Sequence, residues 1–226
     1  MNAPTRSQRG LTMVELLIGM VIGLFIVAAA TSLLTGSLRE NRRLMIESRL
    51  MQDLRTAADV VSRDLRRAGY WGAASAGVWT SGVPALLPNP NTALAPDTAA
   101  SDAVSFRFSR DTAENNAVDP NEQFGFRLRN GAIELQLGAG NWQALTDSGT
   151  LAITAFSVTP TVQDIALAGA CAGACPAGSP SCPPHQLVRS LALVITGHAA
   201  TDASVARSVR ANVRLRNDAI VGACPA

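Results

Sequence analysis

The chain contains no lysine, so all 19 of its basic positions are arginine, against 17 acids. Arg6 and Arg9 lie within the first ten residues, and the remainder of the chain is close to neutral. Residues 69–226 carry 9 arginines against 11 acids. Without a concentrated basic surface, an electrostatic grip on nucleic acid is not expected. Aromatic residues are also scarce, at 4%. Arg210, Arg214 and Arg216 alternate along one stretch with no aromatic platform beside them, so they are read as a solvated or sheet-edge face. The two histidines, His185 and His198, have no Ser or Cys arrangement near them that suggests a triad. No convergent set of acid, base and nucleophile is evident, so neither an enzyme nor a cofactor is expected. Cysteine is missing before residue 171.

What is present begins with a basic stretch of ten residues that has no acid and ends at Gly10. Leu11, Thr12, Met13, Val14 and Glu15 follow, and then 23 residues, Leu16 to Leu38, without a charge. At 1.5 Å per residue that run makes roughly 35 Å of helix, enough to cross a hydrocarbon core of about 30 Å. The basic leader is expected to remain in the cytoplasm and the rest to be exported. Arg39, Arg42 and Arg43, on the other side of the run, make this positive-inside bias imperfect. A cleaved secretory signal peptide is the plain alternative, with Ala28, Ala29 and Ala30 as the small-residue site and release of a free secreted protein. Against it, Glu15 sits at the start of the run and helical periodicity continues to Ala68. Leu44, Leu50, Leu54, Ala57, Val61, Leu65 and Ala68 recur mostly at three- or four-residue steps, with charges between them. Arg49 with Asp53, Arg55 with Asp59 and Asp59 with Arg63 have i,i+4 spacing. The helix is expected to end near Gly69, which can take a left-handed cap. From about residue 11 to 68 it would be some 87 Å long, more than a small core can bury, so its first half must find lipid or other copies of itself.

Glu15 adds chemistry to this anchor. A carboxylate in an apolar span costs on the order of 2–3 kcal/mol at the bilayer centre, and such groups usually mark a function with a definite partner. Thr12 and Glu15 also have the spacing of a capping box. Gly19 and Gly23 form a small-xxx-small pair that would let helices approach closely. The run Arg9-Gly10-Leu11-Thr12-Met13-Val14-Glu15-Leu16-Leu17 resembles the class III signal of type IV pilins and type II secretion pseudopilins. That resemblance implies cleavage by a prepilin peptidase between Gly10 and Leu11, methylation of the new amine at Leu11, and Glu15 as the functional carboxylate. Its obvious partner is the new amine, on this chain or on a neighbour, and a pair between subunits would set register. Family members usually begin with Phe; Leu11 keeps the apolar character.

Beyond Gly69 the pattern changes from period 3.6 to period 2. Residues 72–101 are expected to be an irregular loop, followed by strands at 103–108, 124–129, 132–137, 151–159, 187–196 and 205–216. Asn130-Gly131 signals a tight hairpin. In the last strand Val209, Ala211, Val213 and Leu215 alternate with Arg210, Asn212, Arg214 and Arg216, giving one core face and one wet face. The fold expected is therefore α+β and type IV pilin-like: a long N-terminal hydrophobic and amphipathic helix packed on a C-terminal antiparallel β-sheet domain. Its divisions are a leader at 1–10, a transmembrane or filament-core half at 11–38, an amphipathic half at 39–68, and a β-rich domain at 69–226 with a cysteine loop at 168–184.

In an exported chain the even set Cys171, Cys175, Cys182 and Cys224 points to disulfides. Three connectivities are open. A bridge from Cys224 back to the loop is expected, because a terminal tail otherwise frays. The spacing lacks the CxxC pairs of metal knots, so no metal is expected, even with His185 close by.

The run from Arg63 to Gly72, with Arg214-Leu215-Arg216-Asn217, resembles PilW-type minor pilins of type IV pilus assembly. That resemblance implies a priming complex near the pilus tip, acting in adhesion, motility or DNA uptake. The implied partners are the prepilin peptidase, other minor pilins, the major pilin and a tip adhesin. The protein would reside in the inner membrane, with its N-terminus cytoplasmic and its domain periplasmic, before passing to the pilus. The J-type minor pseudopilin of type II secretion shares the helix and a similar sheet, and is the second reading.

Overall fold

The computed structural model describes residues 10, 12–79 and 87–225. The leader residues 1–9 and Leu11 lie outside the described residues. The chain divides into two compact units, residues 1–46 and 47–226.

One α-helix, α1 (Met13–Leu65), runs through both. It continues without a break through Ala28–Ala30, where the signal-peptide alternative would end the apolar segment. In the first unit every described residue of α1 up to Met45 is exposed, including Leu16, Leu17, Phe25 and Leu33. The second unit buries the stripe read from the sequence: Leu50, Leu54, Ala57, Ala58, Val61, Leu65 and Ala68. None of the three i,i+4 charge pairs closes among the described residues; Arg63 instead lies near Asp64, at 3.7 Å. Exposed pairs of this kind gain little over water, so their opening costs the helix almost nothing.

The helix ends three residues before the expected Ala68. Its last turn tightens, with Arg67 and Ala68 donating to the carbonyls of Asp64 and Leu65. Gly69 then turns the chain at φ +76°. That left-handed conformation suits a residue without Cβ.

The β domain holds two antiparallel sheets where one was expected. The first contains β1 (Leu94–Ala95), β2 (Ala103–Arg107), β3 (Gln123–Arg129), β4 (Ala132–Leu137) and β5 (Trp142–Ala144), paired in that order. The second contains β6 (Leu151–Ala166), β7 (His185–Ala199) and β8 (Asp202–Arg214) in order, with β9 (Ala219–Val221) pairing the start of β7. A single bridge, Ser101 to Val158, connects the two among the described residues. Asn130 (φ 51°) and Gly131 (φ 73°) form the expected β3–β4 turn, where both central residues need positive φ.

The core joins the α1 stripe to the inward faces of both sheets: Val104, Phe106, Phe126 and Ile133 from the first, and Phe156, Val158, Leu191, Leu193, Ile195 and Val213 from the second. Phe108 and Phe124 stack with ring centroids 3.9 Å apart, and the Arg67 guanidinium lies 4.1 Å from the Phe108 ring centre. The result is an α+β fold, one long N-terminal helix packed against a C-terminal antiparallel β domain.

Strands β6 and β7 extend well past the expected 151–159 and 187–196. Beyond Pro160, β6 pairs with β7 in a ribbon whose β6 residues are almost all exposed, so no burial alternation marks it in the sequence. The loop expected at 72–101 contains a short 3-10 turn, Ala74–Gly77, and β1.

Leu65 is fully buried, whereas Leu44 is 54% exposed. Leu65→Ala should cost about 2–5 kcal/mol and Leu44→Ala under about 0.5 kcal/mol. Denaturant unfolding of the detergent-solubilised chain, followed by tryptophan fluorescence, measures both; equal losses would contradict the assigned core.

Candidate functional site

At the start of α1 the Thr12 hydroxyl accepts the Glu15 backbone N–H at 3.2 Å, and the Thr12 carbonyl accepts that of Leu16, also at 3.2 Å. This is one half of the expected capping box. The reciprocal bond from the Glu15 carboxylate to the Thr12 backbone does not form among the described residues. Glu15 is exposed there and has no hydrogen-bond or ion-pair partner among them. Its negative charge in the first turn complements the helix dipole. Local capping therefore employs Thr12 and leaves the Glu15 carboxylate without a partner among the described residues. Gly10 is exposed, while Leu11, expected to carry the new amine, lies outside the described residues. A Cβ at Gly19 or Gly23 would meet nothing within 4 Å, so neither glycine serves packing within the chain.

The helix exit is built from four segments. Gly69 donates its N–H to the Arg107 carbonyl at 2.8 Å, and its own carbonyl accepts from Asn89 at 2.9 Å. Asn217 donates to the carbonyls of Arg67 and Ala68 at 3.3 and 3.1 Å, and Arg216 donates its N–H to the Arg66 carbonyl at 3.2 Å. These bonds satisfy carbonyls that a helix end leaves without partners. Behind them Arg189 is buried, donating to the Thr92 carbonyl at 2.6 Å and more weakly to that of Asn217 at 3.4 Å. Burial pushes the Arg189 pKa down, and the charge of Asp218 works against that shift. A Cβ at Gly69 would lie 3.1 Å from the Arg189 guanidinium and 3.3 Å from the Asn217 carbonyl. The two stretches that carry the PilW-type resemblance thus meet at one point in the fold.

Two glutamates hold the turns next to this exit. Glu114 accepts the Gly72 N–H at 2.9 Å and the Asn116 N–H at 3.1 Å, while Trp71 donates to the Asn116 side chain at 3.1 Å. Desolvation pushes the Glu114 carboxyl up, but hydrogen bonds from Gly72, Ser109, Asn116 and Trp71 outweigh it and hold the group below its ordinary value. Glu122, fully buried, accepts the backbone N–H groups of Arg110 and Asp119 at 2.8 and 2.9 Å.

Sequence reasoning missed Arg189, Glu114 and Glu122. Arg189 and Glu114 find their partners far along the chain, with no local signal. Glu122 did have one: Asp119-Pro120-Asn121-Glu122 has capping-box spacing with Pro at the first position. Also missed was the ion pair of Glu47 with Arg207, where Nε of Arg207 donates to Glu47 at 2.9 Å and fastens α1 to β8.

Cys171 is bonded to Cys224 and Cys175 to Cys182, so the C-terminal segment is tied to the loop between β6 and β7. The sulfurs of Cys171, Cys175 and Cys182 lie within 4.8 Å of one another, but each is committed to a disulfide. His185 faces Asp164 at 2.5 Å, and His198 lies 3.1 Å from the Ala199 carbonyl. Among the described residues neither contacts a Ser or Cys nucleophile. Of the three arginines read as an alternating face, Arg214, at the end of β8, pairs with Asp218 at 3.1 Å, while Arg210 on β8 and Arg216 just beyond it are exposed.

An exposed apolar helix whose first-turn carboxylate has no partner among the described residues, continuing into the core of an antiparallel β domain, defines a pilin-like subunit. The family model for prepilin peptidase-dependent protein B matches residues 43–215, and the chain belongs to that family. Residues 5–31 match the prokaryotic N-terminal methylation motif, which spans the Gly10 junction, Glu15 and the Ala28–Ala30 segment. No curated protein and no solved structure matches the chain. The protein is a prepilin-peptidase-processed, N-terminally methylated structural subunit of the minor pilin and pseudopilin class, incorporated into a pilus-like assembly, and not an enzyme. The PilW-type resemblance is thereby reduced to this broader class. The single apolar span among the described residues fits an inner-membrane anchor bearing a periplasmic β domain.

Because the Glu114 pKa lies below its ordinary value of 4.5, the folded state favours the ionised form. Its contribution is present above that value and is lost as pH falls through the folded pKa. Glu114→Gln should lower stability at neutral pH and flatten the acid limb of a stability–pH curve. An unchanged limb would contradict the role given to Gly72 and Asn116.

The two bridges separate in the same kind of measurement. Their sequence separations are 53 for Cys171–Cys224 and 7 for Cys175–Cys182. Loop-closure entropy gives about 4 and about 2.5 kcal/mol respectively, so removing the first pair with serine should cost more.

Proposed function

We propose that the chain is a minor subunit that joins other minor subunits to prime or cap a pilus-like filament. Glu15 sets its register by pairing with the methylated amine of a neighbour. The cut falls between Gly10 and Leu11, and Leu11 carries the methyl group. The single observation that carries the reading is Glu15, a carboxylate at the head of an apolar helix with no partner among the described residues. An ionised group in that setting is favourable only with an opposite charge at hand, and processing creates one four residues away on each copy. The open sides of Gly19 and Gly23 suit close approach of neighbouring helices.

Residues 1–10 act as the leader on the cytoplasmic side, 11–38 as the span and later the filament core, and 39–68 as the continuation into the domain at 69–226. Between the two secretion-related systems, we place the J-type minor pseudopilin of type II secretion ahead of the PilW-type minor pilin. The matching family description names prepilin peptidase dependence and no pilus type. The type IV pilus reading stays as the second, because the segments that carry the PilW-type resemblance come together at the helix exit through Asn217 and Arg216. Secretion components among co-purifying proteins support the first, and minor pilins with a large tip adhesin support the second.

Glu15→Ala should leave the precursor inserted and processed while sharply reducing its recovery in the sheared filament fraction. Normal recovery would remove the pairing role. Gly10→Val should block processing, so a variant of normal mature mass would contradict the assigned cut.

A further inference from the structure

Arg39, Arg42 and Arg43 follow the apolar span directly, all exposed. Among the described residues none of the three forms a hydrogen bond or an ion pair, although the folded domain engages Arg127, Arg189, Arg207 and Arg214. Their i, i+3, i+4 spacing places them on one face of α1. Residues 39–43 contain one acid, Glu40, and the next along the helix, Glu47, is already held by Arg207.

Their depth follows from helix geometry. With Glu15 at one hydrocarbon boundary, Arg39 lies about 36 Å and Arg43 about 42 Å further along the helix. At the ordinary tilt of about 20° these become roughly 34 and 39 Å along the bilayer normal. The hydrocarbon ends at about 30 Å and the headgroup layer extends several Å beyond it. Side chains on a helix lean toward its N-terminus, here back toward the bilayer, and long cationic ones reach several Å more. All three guanidinium groups therefore fall at the level of the phosphates of the leaflet opposite the leader.

We propose that Arg39, Arg42 and Arg43 form a collar that binds the phosphates of anionic phospholipids and fixes the depth of the span before assembly. The inference rests on the membrane-anchor reading. Charge complementarity, continuity with the span and the calculated depth single out a lipid headgroup as the occupant. Guanidinium suits it, since its planar donors bind phosphate oxygens in pairs. The arrangement also accounts for positive charge on the side where the positive-inside bias does not call for it: these arginines bind the surface they face.

The test places the full processed chain in vesicles of mixed phosphatidylcholine and phosphatidylglycerol and reads the selectivity of its lipid shell with spin-labelled lipids. Phosphatidylglycerol should be favoured on the order of 5-fold at low salt, with the preference falling as salt rises. R39Q/R42Q/R43Q should abolish the preference, and R39K/R42K/R43K should retain most of it. Resistance to alkaline extraction reports insertion separately. A chain that inserts without preferring the anionic lipid, or whose glutamine variant keeps the preference, overturns the collar while leaving the anchor intact. Failure to insert overturns both. Loss of cross-linking to a neighbouring subunit in the glutamine variant, with lipid selectivity unchanged, assigns the arginines to a protein partner and likewise overturns the proposal.

Discussion

Fifteen large apolar side chains between Met13 and Leu38 are exposed on a helix that nothing else among the described residues covers. At about 1.5 kcal/mol or more for each one, withdrawing them from water is worth on the order of 20 kcal/mol, more than the roughly 5–15 kcal/mol that holds an ordinary domain folded. The chain must satisfy this constraint outside itself, first in a bilayer and then against other copies. Glu15, which has no partner among the described residues, takes its meaning from it: within an apolar environment a carboxylate needs a positive partner, and under the proposed pairing a neighbour's newly made amine would supply one. The family match and the methylation motif bear on this same segment and its continuation.

The second unit solves the opposite problem, namely how to stop the helix and cover its last turns. The stripe from Leu50 to Ala68 is buried, and the chain turns at Gly69. Asn217 and Arg216 return from the far end of the sequence to satisfy the carbonyls of residues 66–68. Arg189 ties that return to Thr92, and the Cys171–Cys224 bond holds the segment beyond it. The Glu47–Arg207 pair fastens the helix near the first buried leucine. The polar ties that hold the helix in this unit thus lie where it enters and where it leaves.

The helix and its Glu15 motif were legible because long periodicity and a charge within an apolar run are local signals. The hairpin at Asn130-Gly131 was legible for the same reason, since only a few residues tolerate two successive positive φ angles. The division into two sheets was not, because it depends on which strands pair rather than on the alternation within any one. The β6–β7 ribbon escaped because its β6 residues past Pro160 are exposed on both faces and show no period. β1, β5 and β9 contain only two or three residues each, too few to express a pattern. Arg189 and Glu114 were illegible for a third reason: their partners, Thr92 and Gly72, are brought close only by the fold. The helix boundary lay three residues early because the final turn tightens to satisfy its own carbonyls.

Intact mass and N-terminal fragmentation of the protein recovered from the filament fraction test the central claim most directly. The account predicts a chain that lacks residues 1–10, begins at Leu11 and carries an N-methyl group. An unprocessed chain, an unmethylated Leu11 terminus, or a chain beginning at Thr31 after signal-peptidase cleavage would contradict it.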